Sequence, residues 1–81
     1  MLKIYGSEMC PDCINCKNDL EKAGVKYVYL NISENLLFLK QFLKLRDEKE
    51  VFAEVKATGK IGIPCVVDET GKVSLTWEEY M

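Results

Sequence analysis

The run Cys10-Pro11-Asp12-Cys13 constrains the fold of this chain more than any other feature. It follows an alternating apolar stretch over residues 2–5, which has the two-residue period of a β-strand. Proline is favoured at the first position of a helix, because its missing N–H is not needed there. The sequence therefore predicts a strand, a break, and a helix that begins at Pro11 with Cys10 as its N-cap.

Strand and helix patterns alternate along the next part of the chain. Gly24 marks the end of the first helix, and residues 25–32 carry apolar side chains on both faces, which is typical of a buried central strand. Ser33 is the predicted N-cap of a second helix. The apolar stripe of that helix, which we expect to lie in the core, comprises Leu36, Leu37, Phe38, Leu39, Phe42, Leu43 and Leu45.

A third helix and a final hairpin complete the predicted order. Asp47 and Glu50 form a variant of the capping box ahead of apolar residues at helical spacing in 51–55. Apolar runs over residues 65–67 and 73–76 flank a stretch of turn residues and predict two antiparallel strands. The order is β-α-β-α-α-β-β, an α/β fold with a four-stranded mixed sheet in two layers, the helices packed on it.

Composition narrows the function classes. A chain of 81 residues holds one domain, here residues 1–81, and its 13 acidic and 11 basic residues leave no positive surface for nucleic acid. The longest apolar run, residues 36–39, is too short to span a membrane, and no signal peptide is recognisable. We expect a cytoplasmic protein, in which cysteines serve catalysis or metal binding more often than structural disulfides. Residues 46–50 are expected to be a solvated charged face.

The predicted helix start gives the two cysteines different chemistry. Unpaired N–H groups of the first turn and the helix dipole stabilise a thiolate at Cys10, which we expect to be the nucleophile. Cys13, less exposed at the third helical position, is the expected resolving thiol. Pro11 enforces this geometry. The Asp12 carboxylate either opposes the Cys10 thiolate and makes the pair more reducing, or merely complements the helix N-terminus.

The chain resembles the glutaredoxin family, and in particular its small glutaredoxin-related members, over nearly its whole length. Residues 4–7 leading into the Cys-Pro-x-Cys run, the first helix with its stop at Gly24, and residues 62–67 carry the resemblance. It implies a thioredoxin-like fold and a disulfide oxidoreductase. It also implies that Pro64 is cis and lies against the active-site sulfurs, and that the backbone of Ile63 pairs with a bound thiol peptide.

Departures from the family pattern concern the partner. Glu8 stands where family members often have a basic residue, Asp12 replaces the usual tyrosine, and Ser74-Leu75 replaces a Gly-Gly pair. Because glutathione is anionic, two acids beside the nucleophile disfavour it. We expect no bound cofactor and a disulfide-containing protein or small thiol as substrate. The electron donor is expected to be a reductase or another protein, with glutathione as one candidate.

The other cysteines leave an alternative open. Cys16 extends the motif to C-x-x-C-x-x-C, and Cys65 could supply a fourth ligand, which suggests a metal or iron-sulfur module using Cys10, Cys13 and Cys65. The absence of histidine excludes mixed Cys/His sites. Free cysteine is commonly buried, so core packing is the favoured interpretation of Cys16 and Cys65. A redox-inactive docking domain is a third hypothesis.

Overall fold

A four-stranded mixed sheet forms the centre of the structure, a computed structural model that describes residues 1–81. The strands are β1 (Leu2–Gly6), β2 (Tyr27–Asn31), β3 (Cys65–Val67) and β4 (Val73–Ser74). They lie in the order β2-β1-β3-β4, with β1 and β2 parallel and the other two pairs antiparallel. The predicted strand order along the chain is confirmed, although β4 is shorter than the predicted 73–76.

Three α-helices and one short 3₁₀ turn connect the strands, and a second 3₁₀ turn follows β4. The helices are α1 (Pro11–Lys22), α2 (Leu36–Glu48) and α3 (Ala53–Ala57), and the 3₁₀ turns cover Glu50–Phe52 and Trp77–Tyr80. The predicted start of α1 at proline is confirmed. None of these helices combines the length and apolar character needed to cross a bilayer.

The helices cover both faces of the sheet, so the fold has three layers instead of the predicted two. Alternate residues of a strand point to opposite faces, and each face has its own apolar cluster. The α1-side cluster contains Leu2, Ile4, Cys16, Leu20 and Val66. The α2-side cluster contains Tyr5, Ile32, Phe42, Phe52 and Cys65.

Strand β2 is an edge strand, which corrects the prediction of a central one. Its two faces are apolar as predicted, since Tyr27 and Tyr29 pack on the α1 side and Leu30 packs on the α2 side, where Ile32 follows just after the strand. Both faces of the sheet are covered by helices, so even an edge strand carries apolar residues on each. Val28, 43% exposed, shows that β2 borders solvent.

The caps of α2 and of the segment after it differ from the predictions. Asn35 caps α2, because its Oδ1 accepts the N–H of Phe38 at 3.1 Å. Ser33 instead donates its N–H and its hydroxyl to Oδ1 of Asn31, the last residue of β2. Asp47 lies inside α2 and caps nothing, since α2 continues to Glu48. The predicted capping box is therefore wrong.

Only part of the predicted stripe of α2 is core. Phe42 is fully buried, and Phe38, Leu39 and Leu45 pack around the same cluster. The contact face of α2 is narrower than its apolar surface, because the leucines on its flank stay exposed. These exposed leucines are Leu36, Leu37 and Leu43.

Candidate active site

The turn between β1 and α1 holds Cys10 outside the helix. The backbone of Cys10 is extended (φ −103°, ψ 116°), and its carbonyl accepts the N–H groups of Cys13 at 3.1 Å and Ile14 at 3.2 Å. Its own N–H donates to the Ser7 carbonyl at 3.1 Å, and the Ser7 hydroxyl accepts the N–H of Met9 at 3.2 Å. Cys10 is therefore the N-cap of α1, as predicted.

The four cysteines differ sharply in accessibility, and all four are free thiols. Cys10 is partly exposed, whereas Cys13, Cys16 and Cys65 are each 0% exposed. Cys16 and Cys65 belong to the clusters on opposite faces of the sheet, which confirms the favoured interpretation of both as core residues. A reagent or substrate at the surface can reach Cys10 alone.

Burial keeps the inner thiols protonated. Burial raises the pKa of Cys16 to about 12, with the charges of Asp19 and Glu78 acting in the same direction. Burial alone raises the pKa of Cys65 to about 12. Burial also raises the pKa of Cys13, although the backbone N–H of Ser7 opposes the rise. The three buried thiols are therefore neutral at physiological pH.

A cavity brings Cys10 together with the segment before β3. The Ile63–Pro64 peptide bond is cis, as the resemblance implies, and the Cys10 thiol lies 4.0 Å from the Ile63 carbonyl oxygen. Met9, Cys10, Asp12, Ile63 and Pro64 all line this cavity of about 550 Å³. Four of the predicted site residues, Cys10, Asp12, Ile63 and Pro64, thus meet at one surface opening, whereas Cys13 and Pro11 do not line it.

Two side chains missing from the predicted site hold the segment before Pro64. Arg46 of α2 donates to the carbonyls of Lys60 at 2.6 Å and Ile61 at 2.8 Å, so it is not simply part of a solvated charged face. Gly62 has φ +97°, and a Cβ there would lie 2.9 Å from the Phe52 ring. These contacts join residues that are distant in sequence, so no local sequence pattern predicts them.

The two acids near Cys10 have different environments. Glu8 forms an ion pair with Lys17 at 2.8 Å, whereas exposed Asp12, in the first turn of α1, forms no ion pair. The Lys17 ammonium also lies 4.4 Å from the centre of the Tyr29 ring. Asp12 is therefore an acid without an ion pair beside the cavity, and the lining of that cavity also includes Lys60.

The cysteines do not form a metal-binding group. No set of three or more Cys, Asp or Glu side chains lies close enough together to hold a metal ion. Cys65 packs on the α2 side of the sheet, among apolar side chains. The alternative that joins Cys10, Cys13 and Cys65 around a metal therefore has no ligand set within one chain.

A mixed sheet with two cysteines at the N-terminus of its first helix, facing a cis-proline, defines a protein of thioredoxin-like fold. The glutaredoxin family model matches residues 2–70, so this chain belongs to the glutaredoxin family. It is 38% identical over 72 residues to an uncharacterized protein of Haemophilus influenzae, covering 89% of this chain and 84% of that one. No solved structure matches it. Membership of the family implies thiol-disulfide redox chemistry.

Proposed function

We propose that this protein reduces disulfides through a dithiol mechanism in which Cys10 is the nucleophile and Cys13 the resolving thiol. The observation that carries the proposal is the contrast in access between them. Cys10 is partly exposed at the N-cap of α1, and Cys13 is buried in the first turn of that helix. N–H groups at a helix N-terminus favour a thiolate, which is the reactive form of cysteine.

Two exchange steps complete the reduction. The Cys10 thiolate attacks one sulfur of the substrate disulfide, so the substrate S–S bond breaks, a mixed disulfide forms and one substrate thiolate leaves. Cys13 then loses its proton and attacks the Cys10 sulfur, which forms the Cys10–Cys13 disulfide and releases the second thiolate. The substrate gains two electrons and, after protonation, two protons. A donor dithiol returns both electrons to the protein.

The segment before β3 is the proposed docking strand for the substrate. The Ile63 carbonyl lies beside the Cys10 sulfur, and its backbone is available at the cavity. An extended substrate segment can hydrogen-bond to this backbone while its disulfide faces Cys10. Pro64 forms the wall of the cavity beneath that segment. Arg46 fixes the segment through the preceding carbonyls.

The proposed electron donor is a reductase or another dithiol protein in preference to glutathione. The carboxylate without an ion pair is that of Asp12, because Glu8 pairs with Lys17. The cavity lining carries one carboxylate, Asp12, and one ammonium group, Lys60, which disfavours an anionic tripeptide less than two carboxylates would. We therefore expect measurable turnover with glutathione and faster turnover with a thioredoxin-reductase-type donor.

Turnover of a protein disulfide by wild type, Cys10→Ser and Cys16→Ala, with each donor in parallel, tests this function. Cys10→Ser should lower the rate to that of the uncatalysed reaction, since the nucleophile is gone. Cys16→Ala should keep the wild-type rate, because Cys16 lies in the core away from the cavity. Equal rates for wild type and Cys10→Ser would refute the proposal.

A further inference from the structure

The side-chain hydroxyl of Tyr29 is buried without a hydrogen-bond partner. Buried tyrosine hydroxyls usually have a partner, because an unpaired polar group loses its hydration without compensation. Phenylalanine would fill the same space on β2 without this cost. The presence of this hydroxyl is therefore not explained by the stability of the folded protein, and we look for its role in the reaction.

Gly6 shows what the hydroxyl faces. A Cβ on Gly6 would lie 2.7 Å from the Tyr29 hydroxyl oxygen and 3.0 Å from the Cys13 sulfur. Both atoms thus occupy the space that any larger residue at the end of β1 would fill. The absence of a side chain on Gly6 lets a phenol and a buried thiol share one pocket under the first turn of α1.

The surroundings of this pocket favour a hydroxyl that donates. Lys17 places its charge 4.4 Å from the centre of the Tyr29 ring, and Glu8 pairs with Lys17. Burial raises the pKa of Tyr29, and the neighbouring Cys13 acts in the same direction. The phenol therefore keeps its proton and cannot serve as a base. The titratable groups facing the pair are Cys10 and Glu8 from the loop and Lys17 from α1.

We propose that Tyr29 is a positioning residue for the second exchange step, in which its hydroxyl donates a hydrogen bond to the Cys13 sulfur as that sulfur becomes a thiolate. This inference rests on the proposed roles of Cys10 and Cys13. The Cys13 proton passes to solvent, Tyr29 keeps its own, and the Cys13 thiolate breaks the mixed disulfide at the Cys10 sulfur. When a donor dithiol attacks the Cys10 sulfur of the oxidised protein, Cys13 is the leaving thiolate, and the hydrogen bond from Tyr29 stabilises it.

The test separates the two steps with a chromogenic nitrobenzoate disulfide. Reduced protein releases one coloured thiolate when Cys10 attacks the reagent and a second when Cys13 resolves the mixed disulfide. In Tyr29→Phe the first phase should keep the wild-type rate, and the second should slow by roughly tenfold or more, the usual effect of losing a hydrogen bond to a charged group. The pH profile of the second phase should move to higher pH by about one unit.

Tyr27→Phe is the matched control, because Tyr27 lies on the same strand and the same side of the sheet. It should leave both phases and the pH profile unchanged. Equal second phases in the two variants would overturn the inference, and so would a slowing of both phases in Tyr29→Phe without a shift of the pH profile. A wild-type protein with no second phase would instead refute the proposed role of Cys13.

Folding does not confound the comparison. Tyr29→Phe removes an unpaired buried hydroxyl, so its denaturation midpoint should equal or exceed that of wild type. A slower second phase in an equally stable protein supports the hydrogen-bond role. A lower midpoint would show that the hydroxyl stabilises the resting structure, which contradicts the inference.

Discussion

The first and second turns of α1 each place one cysteine wholly inside the protein. Cys13 and Cys16 are both 0% exposed, and burial raises the pKa of each. Their neighbours differ: Cys13 borders the pocket of the Tyr29 hydroxyl, whereas Cys16 packs with aliphatic side chains such as Leu20. Burial alone therefore does not distinguish a thiol that reacts from one that fills space. In the proposed mechanism, the Cys10 sulfur and the Tyr29 hydroxyl beside Cys13 make that distinction.

The largest difference between Cys13 and Cys16 is expected when each is replaced by serine. Cys13→Ser should lower turnover of a protein disulfide by roughly a hundredfold or more, because external thiol must replace an intramolecular attack. Mass spectrometry should show the mixed disulfide accumulating on Cys10. The measurement is steady-state turnover with a dithiol donor.

Cys16→Ser should keep that turnover and lose stability instead. A serine hydroxyl is more polar than a thiol and would lie among apolar side chains, which costs about 1–3 kcal/mol in the free energy of unfolding. Denaturant titration measures it. The different roles of Cys13 and Cys16 would be refuted if Cys16→Ser lost turnover at unchanged stability. They would also be refuted if Cys13→Ser kept its turnover.

Local rules predicted one side of this site. Pro11 at the first helical position and Cys10 as N-cap depend on residues within one turn, so the sequence identifies them directly. The alternation in β2 also put Tyr27 and Tyr29 on the same face. The cis peptide bond before Pro64 came from resemblance to a family and not from residue spacing.

Contacts between segments that are distant along the chain could not be predicted from the sequence. Strand β2 has the two apolar faces of a central strand, but its edge position depends on β1 pairing with β3, some sixty residues further along. The bonds of Arg46 to Lys60 and Ile61 and the approach of Tyr29 to Cys13 depend on the packed positions of helices. Contacts of this kind leave no characteristic residue spacing in the sequence.

Gly6→Ala tests how tightly the pocket beside Cys13 is packed. The added Cβ would lie 2.7 Å from the Tyr29 hydroxyl, which is too close, so we expect a loss of about 1–3 kcal/mol in the free energy of unfolding. Tyr29→Phe removes that colliding atom. The double variant should therefore lose less than the sum of the single ones, by roughly 1 kcal/mol.

The same cycle with Tyr27→Phe serves as the control. Tyr27 is not among the atoms nearest to a Cβ on Gly6, so its variant should combine additively with Gly6→Ala. Additivity in the Tyr29 cycle as well would show that the hydroxyl does not occupy the pocket. Denaturant titrations of the six proteins measure both cycles.

High pH should destabilise the protein through its buried thiols. The folded state holds the Cys16 proton up to about pH 12, whereas the unfolded chain releases it near the ordinary thiol pKa of 9.0. Above pH 9.0 the unfolded state therefore binds fewer protons, and stability falls by about 1.4 kcal/mol per pH unit for each such thiol. In Cys16→Ala the fall between these pH values should be smaller by that amount.

Val66→Ala is the matched control for this pH dependence. Val66 lies in the same cluster as Cys16 and is also 0% exposed, so its truncation leaves a comparable cavity without removing a titrating group. It should lower stability at every pH and leave the slope of wild type unchanged. Parallel curves for wild type and Cys16→Ala would contradict the burial of an ionisable thiol at this position.

The smallest expected effect concerns Asp12, on the exposed side of the first turn. If its carboxylate opposes the Cys10 thiolate, Asp12→Asn should speed alkylation of Cys10 at fixed pH by roughly two- to fivefold, since exposed charges interact weakly. The effect should shrink in high salt. Glu21→Gln removes the same charge from the far end of α1 and should leave the rate unchanged.

The competing role for Asp12 predicts a different observable. A carboxylate that only complements the helix N-terminus stabilises the folded chain, so Asp12→Asn would lower the free energy of unfolding by about 0.3–1 kcal/mol with no change in alkylation rate. The two roles oppose each other at Cys10, because the charge that suits the helix dipole disfavours the thiolate that the dipole supports. Rate and stability measured on one variant therefore decide whether the first turn is tuned for reactivity or for folding.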